Sequence, residues 1–136
     1  MQLNPYLFFN GQCEEAFKFY AQCLEGKIDS MRPNEGSPAE GQVPAEWRKK
    51  ILHARMVVGN QVLMGSDAPP GHFHNPQGFS VSINLKDPAK DERIFRALAE
   101  NGTITMPFAT TFWSAGFGML TDRFGIPWMV NCEKAA

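Results

Sequence analysis

Residues 110–131 read TTFWSAGFGMLTDRFGIPWMVN, and this stretch decides the fold. It holds two runs that read as strands, Gly116–Thr121 and Pro127–Asn131, joined by the short turn Asp122-Arg123-Phe124-Gly125. A carboxylate heading such a turn accepts backbone N–H bonds, and Gly125 tolerates a conformation that other residues avoid. A shorter echo lies upstream, where Ala54-Arg55-Met56-Val57-Val58 turns at Gly59-Asn60 into Gln61-Val62-Leu63-Met64. Gly-Asn supplies the positive φ that a tight hairpin needs. Both hairpins carry a methionine at a comparable place, Met64 in the first and Met129 in the second.

Working outward, each hairpin closes the same succession. Leu3–Phe9 is an apolar run, punctuated by Pro5, that suits a starting or edge strand. Gly11-Gln12 breaks it, and Glu14-Glu15 open a helix with carboxylates at its positive end. Ala16, Phe19, Tyr20, Cys23 and Leu24 recur at helical spacing as one apolar stripe, and Gly26 stops the helix. Lys27–Met31 reads as a strand. Residues 33–47 hold three prolines and two glycines, a loop whose length suggests mobility or function. Ile51–Val58 and Gln61–Ser66 complete the first half.

After the connector Asp67–Gln77 the order begins again. Phe79, Val81, Ile83 and Leu85 alternate inward against Ser80, Ser82 and Asn84 outward. Asp87-Pro88 open a helix carrying Ile94, Phe95 and Leu98, stopped by Asn101-Gly102, and Thr103–Met106 is the next strand. The order strand, helix, three strands is thus written twice. The expected fold is α+β: two repeated βαβββ modules, about 1–66 and about 78–136 with a linker at about 67–77. They are expected to form a cupped, barrel-like mixed sheet with helices outside, as a single domain over 1–136.

Bulk properties narrow the function. A chain of 136 residues is one domain's worth and can bury a core without disulfides. Net charge is -1, and the densest basic run, Arg48-Lys49-Lys50, is three residues long, so nothing marks a nucleic-acid or anionic-membrane partner. Cys13, Cys23 and Cys132 show no CxxC spacing and read as free buried thiols of a reducing compartment. The start MQLNPYLFF has neither a basic leader nor a long apolar stretch. A cytoplasmic protein is expected.

These residues resemble the PhnB-like branch of the glyoxalase/bleomycin resistance/dioxygenase (vicinal oxygen chelate) superfamily. The likeness rests on Phe19-Tyr20 and Leu24 of the first helix, Asn10-Gly11 before it, and Ser66-Asp67-Ala68 after the first hairpin. In the second half it rests on Thr111-Phe112-Trp113, Gly116-Phe117-Gly118, Thr121-Asp122, Phe124-Gly125 and Pro127-Trp128-Met129. The resemblance implies a homodimer. Some members carry the label 3-demethylubiquinone-9 3-methyltransferase, yet this sequence has no glycine-rich strand-to-helix turn for S-adenosylmethionine. The resemblance also implies where metal ligands stand, on the first and fourth strands of each half. Those positions fall near Pro5, on Met64, near Ser80 and on Met129. None is His, Glu or Asp, so the metal site of the superfamily's enzymes is expected to be missing, with no cofactor.

Other residues have side chains suited to chemistry. His72 and His74, two apart in an extended segment, can share an ion, but a surface loop is the plainer reading. His53 reads as a strand histidine. Phe108, Phe112, Trp113, Phe117 and Trp128 suit the aromatic wall of a pocket, with Phe117 and Trp128 leaning toward core. Met56, Met64, Met106, Met119 and Met129 add adaptable packing. Asp122 is expected to hold its turn, and Arg55 and Arg123 to form surface ion pairs. No nucleophilic triad or phosphate loop is present, and no catalytic residue can be named. The expectation is a small-molecule-binding protein whose ligand-binding residues are Met64, Phe112, Trp113 and Met129. Two other readings stay open: a metal-dependent glyoxalase/dioxygenase-type enzyme with relocated ligands, and a protein-interaction homodimer.

Overall fold

A computed structural model describes residues 1–134. Two compact units are present, residues 1–74 and 75–136, and each repeats one architecture. The first contains β1 (Tyr6–Phe9), α1 (Cys13–Leu24), β2 (Lys27–Pro33), β3 (Ile51–Val58) and β4 (Gln61–Asp67). The second contains β5 (Val81–Leu85), α2 (Pro88–Ala99), β6 (Thr103–Ala109), β7 (Ser114–Thr121) and β8 (Pro127–Glu133). Each unit is therefore a βαβββ module, and the fold is α+β. The sheet orders are β1-β4-β3-β2 and β5-β8-β7-β6, with the first and fourth strands parallel and the other pairs antiparallel.

In each module one sheet face is covered by the helix. On α1 the buried residues are Cys13, Ala16, Phe17 and Tyr20, against Leu7 and Phe9 of β1 and Ala54, Met56 and Leu63 of the hairpin. The stripe is rotated from the expected one: Phe17 enters the core, while Phe19, Cys23 and Leu24 are only half-buried. The sheet sets this rotation. Gly65 leaves a notch for Phe17, and a Cβ there would lie 2.8 Å from its ring. On α2 the buried residues are Asp91, Ile94, Phe95 and Leu98, the same i, i+3, i+4, i+7 pattern. Here Phe95 occupies a notch left by Gly118 of β7, at 2.7 Å from a hypothetical Cβ.

The helix ends also differ from expectation. Glu25 and Asn101, not the glycines after them, take the left-handed conformation, with φ of 55° and 59°. Gly26 is required for a close approach instead: a Cβ would meet Val58, Met56 and the Val57 carbonyl at 3.0–3.1 Å. At the N-terminus of α2, Asp87 accepts bonds from the backbone N–H groups of Ala89 and Lys90, and Pro88 fills the first turn.

Two further expectations, on the strand starts and on Cys23, are corrected, and the 33–47 loop holds local structure. Leu3 precedes β1 and is 97% exposed, so the first strand starts later than expected, and Phe79 precedes β5 and is 50% exposed, so it is not an inward strand residue. Residues 33–47 contain two short 3-10 turns, Glu40–Gln42 and Ala45–Trp47. Buried Asn34 donates to the carbonyls of Trp47 and Lys50, and the Trp47 indole donates to the Ala68 carbonyl at 3.2 Å. The three cysteines are free, but Cys23 is only half-buried.

Candidate functional site

Strand alternation leaves each sheet a second face, turned away from its own helix. On β8, Trp128, Val130 and Cys132 point toward α2, so Pro127, Met129 and Asn131 point away from it. On β7, Gly116, Gly118 and Leu120 are buried toward α2, so Phe117 and Met119 share the face of Met129. The register places Ser82 beside Met129, Met119 on the other side of it, and Asn131 between Asn84 and Phe117.

This face of the second module is both aromatic and polar. The Trp113 ring lies 5.4 Å from Phe117 in an edge contact, and Phe112 lies 4.8 Å from Trp113 in another. Phe112 is 87% exposed, with its carbonyl held by Lys134 Nζ at 2.8 Å. Thr111 fixes the bend, its hydroxyl accepting the backbone N–H groups of Trp113 and Ser114. Beside the rings runs a polar ladder: Asn131 Nδ2 donates to Asn84 Oδ1 at 3.3 Å, and Asn84 Nδ2 to Ser82 Oγ at 3.2 Å. Asn131 Oδ1 is buried and accepts no hydrogen bond. Because so little of the Phe112 ring is packed, Phe112→Ala is expected to change the unfolding free energy by less than about 0.5 kcal/mol in urea titrations.

Of the residues expected to bind a ligand, Phe112, Trp113 and Met129 therefore belong to one surface of the second module. Met64 belongs to the first module, half-buried between Tyr6 of β1 and Arg55 of β3 on the face away from α1. Its neighbours there are the Tyr6 and Phe8 rings, 5.1 Å apart, and His53, whose Nδ1 lies 3.4 Å from the Tyr6 hydroxyl. The proposed aromatic wall divides. Trp128 is 1% exposed in the core, and Phe108 fills the space above Gly116 and packs on Phe95, so neither joins the Trp113 surface.

Asp122 performs the structural task read from the turn. It is 3% exposed. Oδ1 accepts the N–H groups of Phe124 and Ile126 at 2.8 and 3.0 Å, and Oδ2 accepts the Trp128 indole N–H at 2.8 Å. Gly125 has φ of 89°. Arg55 pairs with Asp29, and Arg123 reaches the Glu100 carbonyl and carboxylate.

Opposite Met64 and Met129 stand Tyr6 and Ser82, while Pro5 and Ser80, near which the resemblance implies the other two ligand positions, precede β1 and β5. Phenol, hydroxyl and thioether donors do not fit a hard divalent ion or zinc. His72 and His74 lie exposed on the loop, and Asp67, the nearest acid in sequence, is spent on the Cys13 and Ile51 backbone N–H groups. Among the described residues no group of three His, Cys, Asp or Glu side chains is placed to hold a metal ion.

Neither buried thiol is primed for attack. Burial pushes the Cys13 thiol well above its ordinary range, and the carboxylates of Asp67 and Glu14 push it further. Cys132 is raised by the same cause, with Asp91, Asp87 and Glu133 adding to it. Asp91 itself is 0% exposed, has no hydrogen-bond partner for either oxygen, and burial raises its carboxyl to about 6.

Sequence reading missed Asn131, Tyr6, Phe8 and Asp91. Asn131 was legible as the residue two beyond Met129, and Asp91 as the first position of the Ile94-Phe95-Leu98 stripe.

The family described as 3-demethylubiquinone-9 3-methyltransferase matches residues 1–131. Protein YjdN of Escherichia coli (strain K12) is 33% identical over 145 residues, covering 98% of this chain and 97% of that protein. The crystal structure of protein PA1353 from Pseudomonas aeruginosa is 50% identical with a TM-score of 0.90, covering 99% of each chain. A putative 3-demethylubiquinone-9 3-methyltransferase, PhnB protein, from Bacillus cereus shares the fold at 24% identity and a TM-score of 0.80, covering 97% of this chain and 99% of that one.

Proposed function

Because the chain belongs to the family described as 3-demethylubiquinone-9 3-methyltransferase, the PhnB-like branch of the glyoxalase/bleomycin resistance/dioxygenase superfamily, we propose that it binds a small molecule on the helix-free face of its second sheet, without the hard-metal site of the superfamily's enzymes. One observation carries the reading: Asn131 Oδ1, buried and without a donor, at the centre of a face walled by Phe117 and Trp113. Buried carbonyl oxygens are almost always paired, and an orphan beside aromatic rings suits a ligand that brings a donor. The ligand class that fits is a flat or apolar molecule bearing an N–H or O–H donor.

Methyl transfer, as the family's description has it, forms no part of this proposal. Each sheet contains one parallel strand pair, and the strand-to-helix turns Asn10-Gly11-Gln12 and Lys86-Asp87 lack the glycine-rich cradle of a nucleotide cofactor.

Tryptophan fluorescence during a metabolite screen tests the reading. Trp113 is 50% exposed and next to the site, so a true ligand shifts its emission, and Trp113→Phe removes the response. Asn131→Leu is expected to weaken binding at least about tenfold, the worth of one hydrogen bond to a buried acceptor. A hit whose affinity survives Asn131→Leu rejects this site, and silence across donor-bearing compounds by fluorescence and calorimetry rejects the function.

A second reading, a protein-interaction homodimer, is favoured by the exposure of Phe112 and by the edge strand β6, where Ile104 and Met106 are 48% and 43% exposed. Light scattering separates the two, since a dimer that Phe112→Glu turns into monomer supports the second reading.

A further inference from the structure

The same sheet carries three methionines in one row. Met106 of β6 is the direct partner of Met119 of β7, and Met119 is the direct partner of Met129 of β8. Direct partners on antiparallel strands project to one face, with Cβ atoms about 4.5–5.5 Å apart. The pairing therefore sets three thioethers at one level of adjoining strands, with Met119 and Met129 on the face turned away from α2. Met119 and Met129 are half-buried and Met106 is 43% exposed, so the row is reachable from one end. The pairing of β6 shifts register on both sides of Met106, which loosens the strand there.

Strand packing does not by itself call for methionine at these positions. Strand faces are filled preferentially by β-branched and aromatic residues, and methionine has no such preference. Here it occurs at a single level of three different strands. Chemically, a thioether is neutral, soft and a poor ligand for hard cations, whereas copper(I) takes it readily. Methionine has three rotatable side-chain bonds, so the outer two sulfurs can turn toward a point above the central one. Among the described residues, the second module's cysteine, Cys132, does not compete, since it points toward α2 and is 0% exposed.

We propose that Met106, Met119 and Met129 form a binding site for a soft monovalent cation, copper(I). The step is ligation only; nothing is oxidised or reduced. It goes beyond the small-molecule reading and can fail or hold without it, because Asn131 takes no part in it.

The test is an anaerobic titration of the whole chain with copper(I) in competition with a chromophoric copper(I) chelator. One equivalent is expected to be retained by the protein. Met119→Leu keeps volume and apolarity and is expected to lower the affinity at least tenfold. Met106→Leu, at the exposed edge, is expected to do the same and serves if the first variant does not fold. Cys23→Ser, removing the most accessible thiol, is expected to leave the affinity unchanged. A thioether has no proton to lose, so the affinity is expected to stay constant between about pH 5.5 and 7.5, whereas a thiolate or imidazole site weakens as pH falls. Retention unaffected by both methionine substitutions, loss on Cys23→Ser, or weakening toward acid overturns the proposal.

Discussion

Asp122→Ala is expected to lower the unfolding free energy by about 4 kcal/mol, a large part of the total for a domain of this size. The substitution strands three buried donors at once, the N–H groups of Phe124 and Ile126 and the indole of Trp128. Each buried donor left without an acceptor costs about 1–3 kcal/mol. Urea unfolding followed by circular dichroism measures the loss. Asp122→Asn separates the contributions: its carbonyl oxygen can still accept both backbone N–H groups, but its amide nitrogen meets the Trp128 indole donor to donor. About half the loss is expected for it. A loss below about 1 kcal/mol for Asp122→Ala would mean that water takes over the bonds and that the turn does not depend on this carboxylate.

Asp91 has the opposite effect on stability. In the folded chain its carboxyl keeps its proton up to about pH 6, against an ordinary value of 3.8, because burial strips the charged form of water and neither oxygen accepts a hydrogen bond in exchange. Below the ordinary value both folded and unfolded chains are protonated there, and the group is neutral in its effect. As pH rises from there to about 6, the unfolded chain releases the proton and the folded chain still holds it, so stability falls; above that range the full loss persists. The gap between 3.8 and about 6 is equivalent to about 3 kcal/mol. Asp91→Asn, permanently neutral, is expected to match the parent chain at about pH 3 and to exceed it by about 3 kcal/mol at about pH 8. Equal stability at the higher pH would show that the carboxylate is solvated there. The difference between the two chains is the readout, because other carboxylates change the parent's own profile.

The repeat was legible in the sequence because it is written in backbone needs: Gly59-Asn60 and Asp122 to Gly125 at hairpin apices, and alternation in Val81 to Leu85. Boundaries were less so. Leu3 and Phe79 are as apolar as strand residues but have no partner strand to lie against, and β6 runs on to Ala109 through Pro107 because an edge strand needs donors on one side only. On α1, hydrophobicity could not choose between Phe17 and Phe19. That choice belongs to Gly65, far along the chain from Phe17, and is tertiary. The candidate site was half legible for a similar reason. Phe112, Trp113 and Met129 announced themselves by type, whereas Asn131 and the Met106-Met119-Met129 row acquire meaning only through strand register. Asp91 violates the rule that a helix's inward stripe is apolar, and no local signal marks which charged residue will be trapped.

The two phenylalanine notches carry a consequence for how the halves can change. Both modules seat a helix phenylalanine in a glycine, but Phe17 uses Gly65 on the fourth strand, while Phe95 uses Gly118 on the third. At the place of Gly65 in the second module stands Val130, each being the partner of the first strand's second apolar residue, Leu7 or Ile83. A helix moved from one half to the other would carry its ring to a side chain instead of a gap. The halves share a plan but are no longer spare parts for each other: recombination between them is closed, and each helix can drift only together with its own sheet.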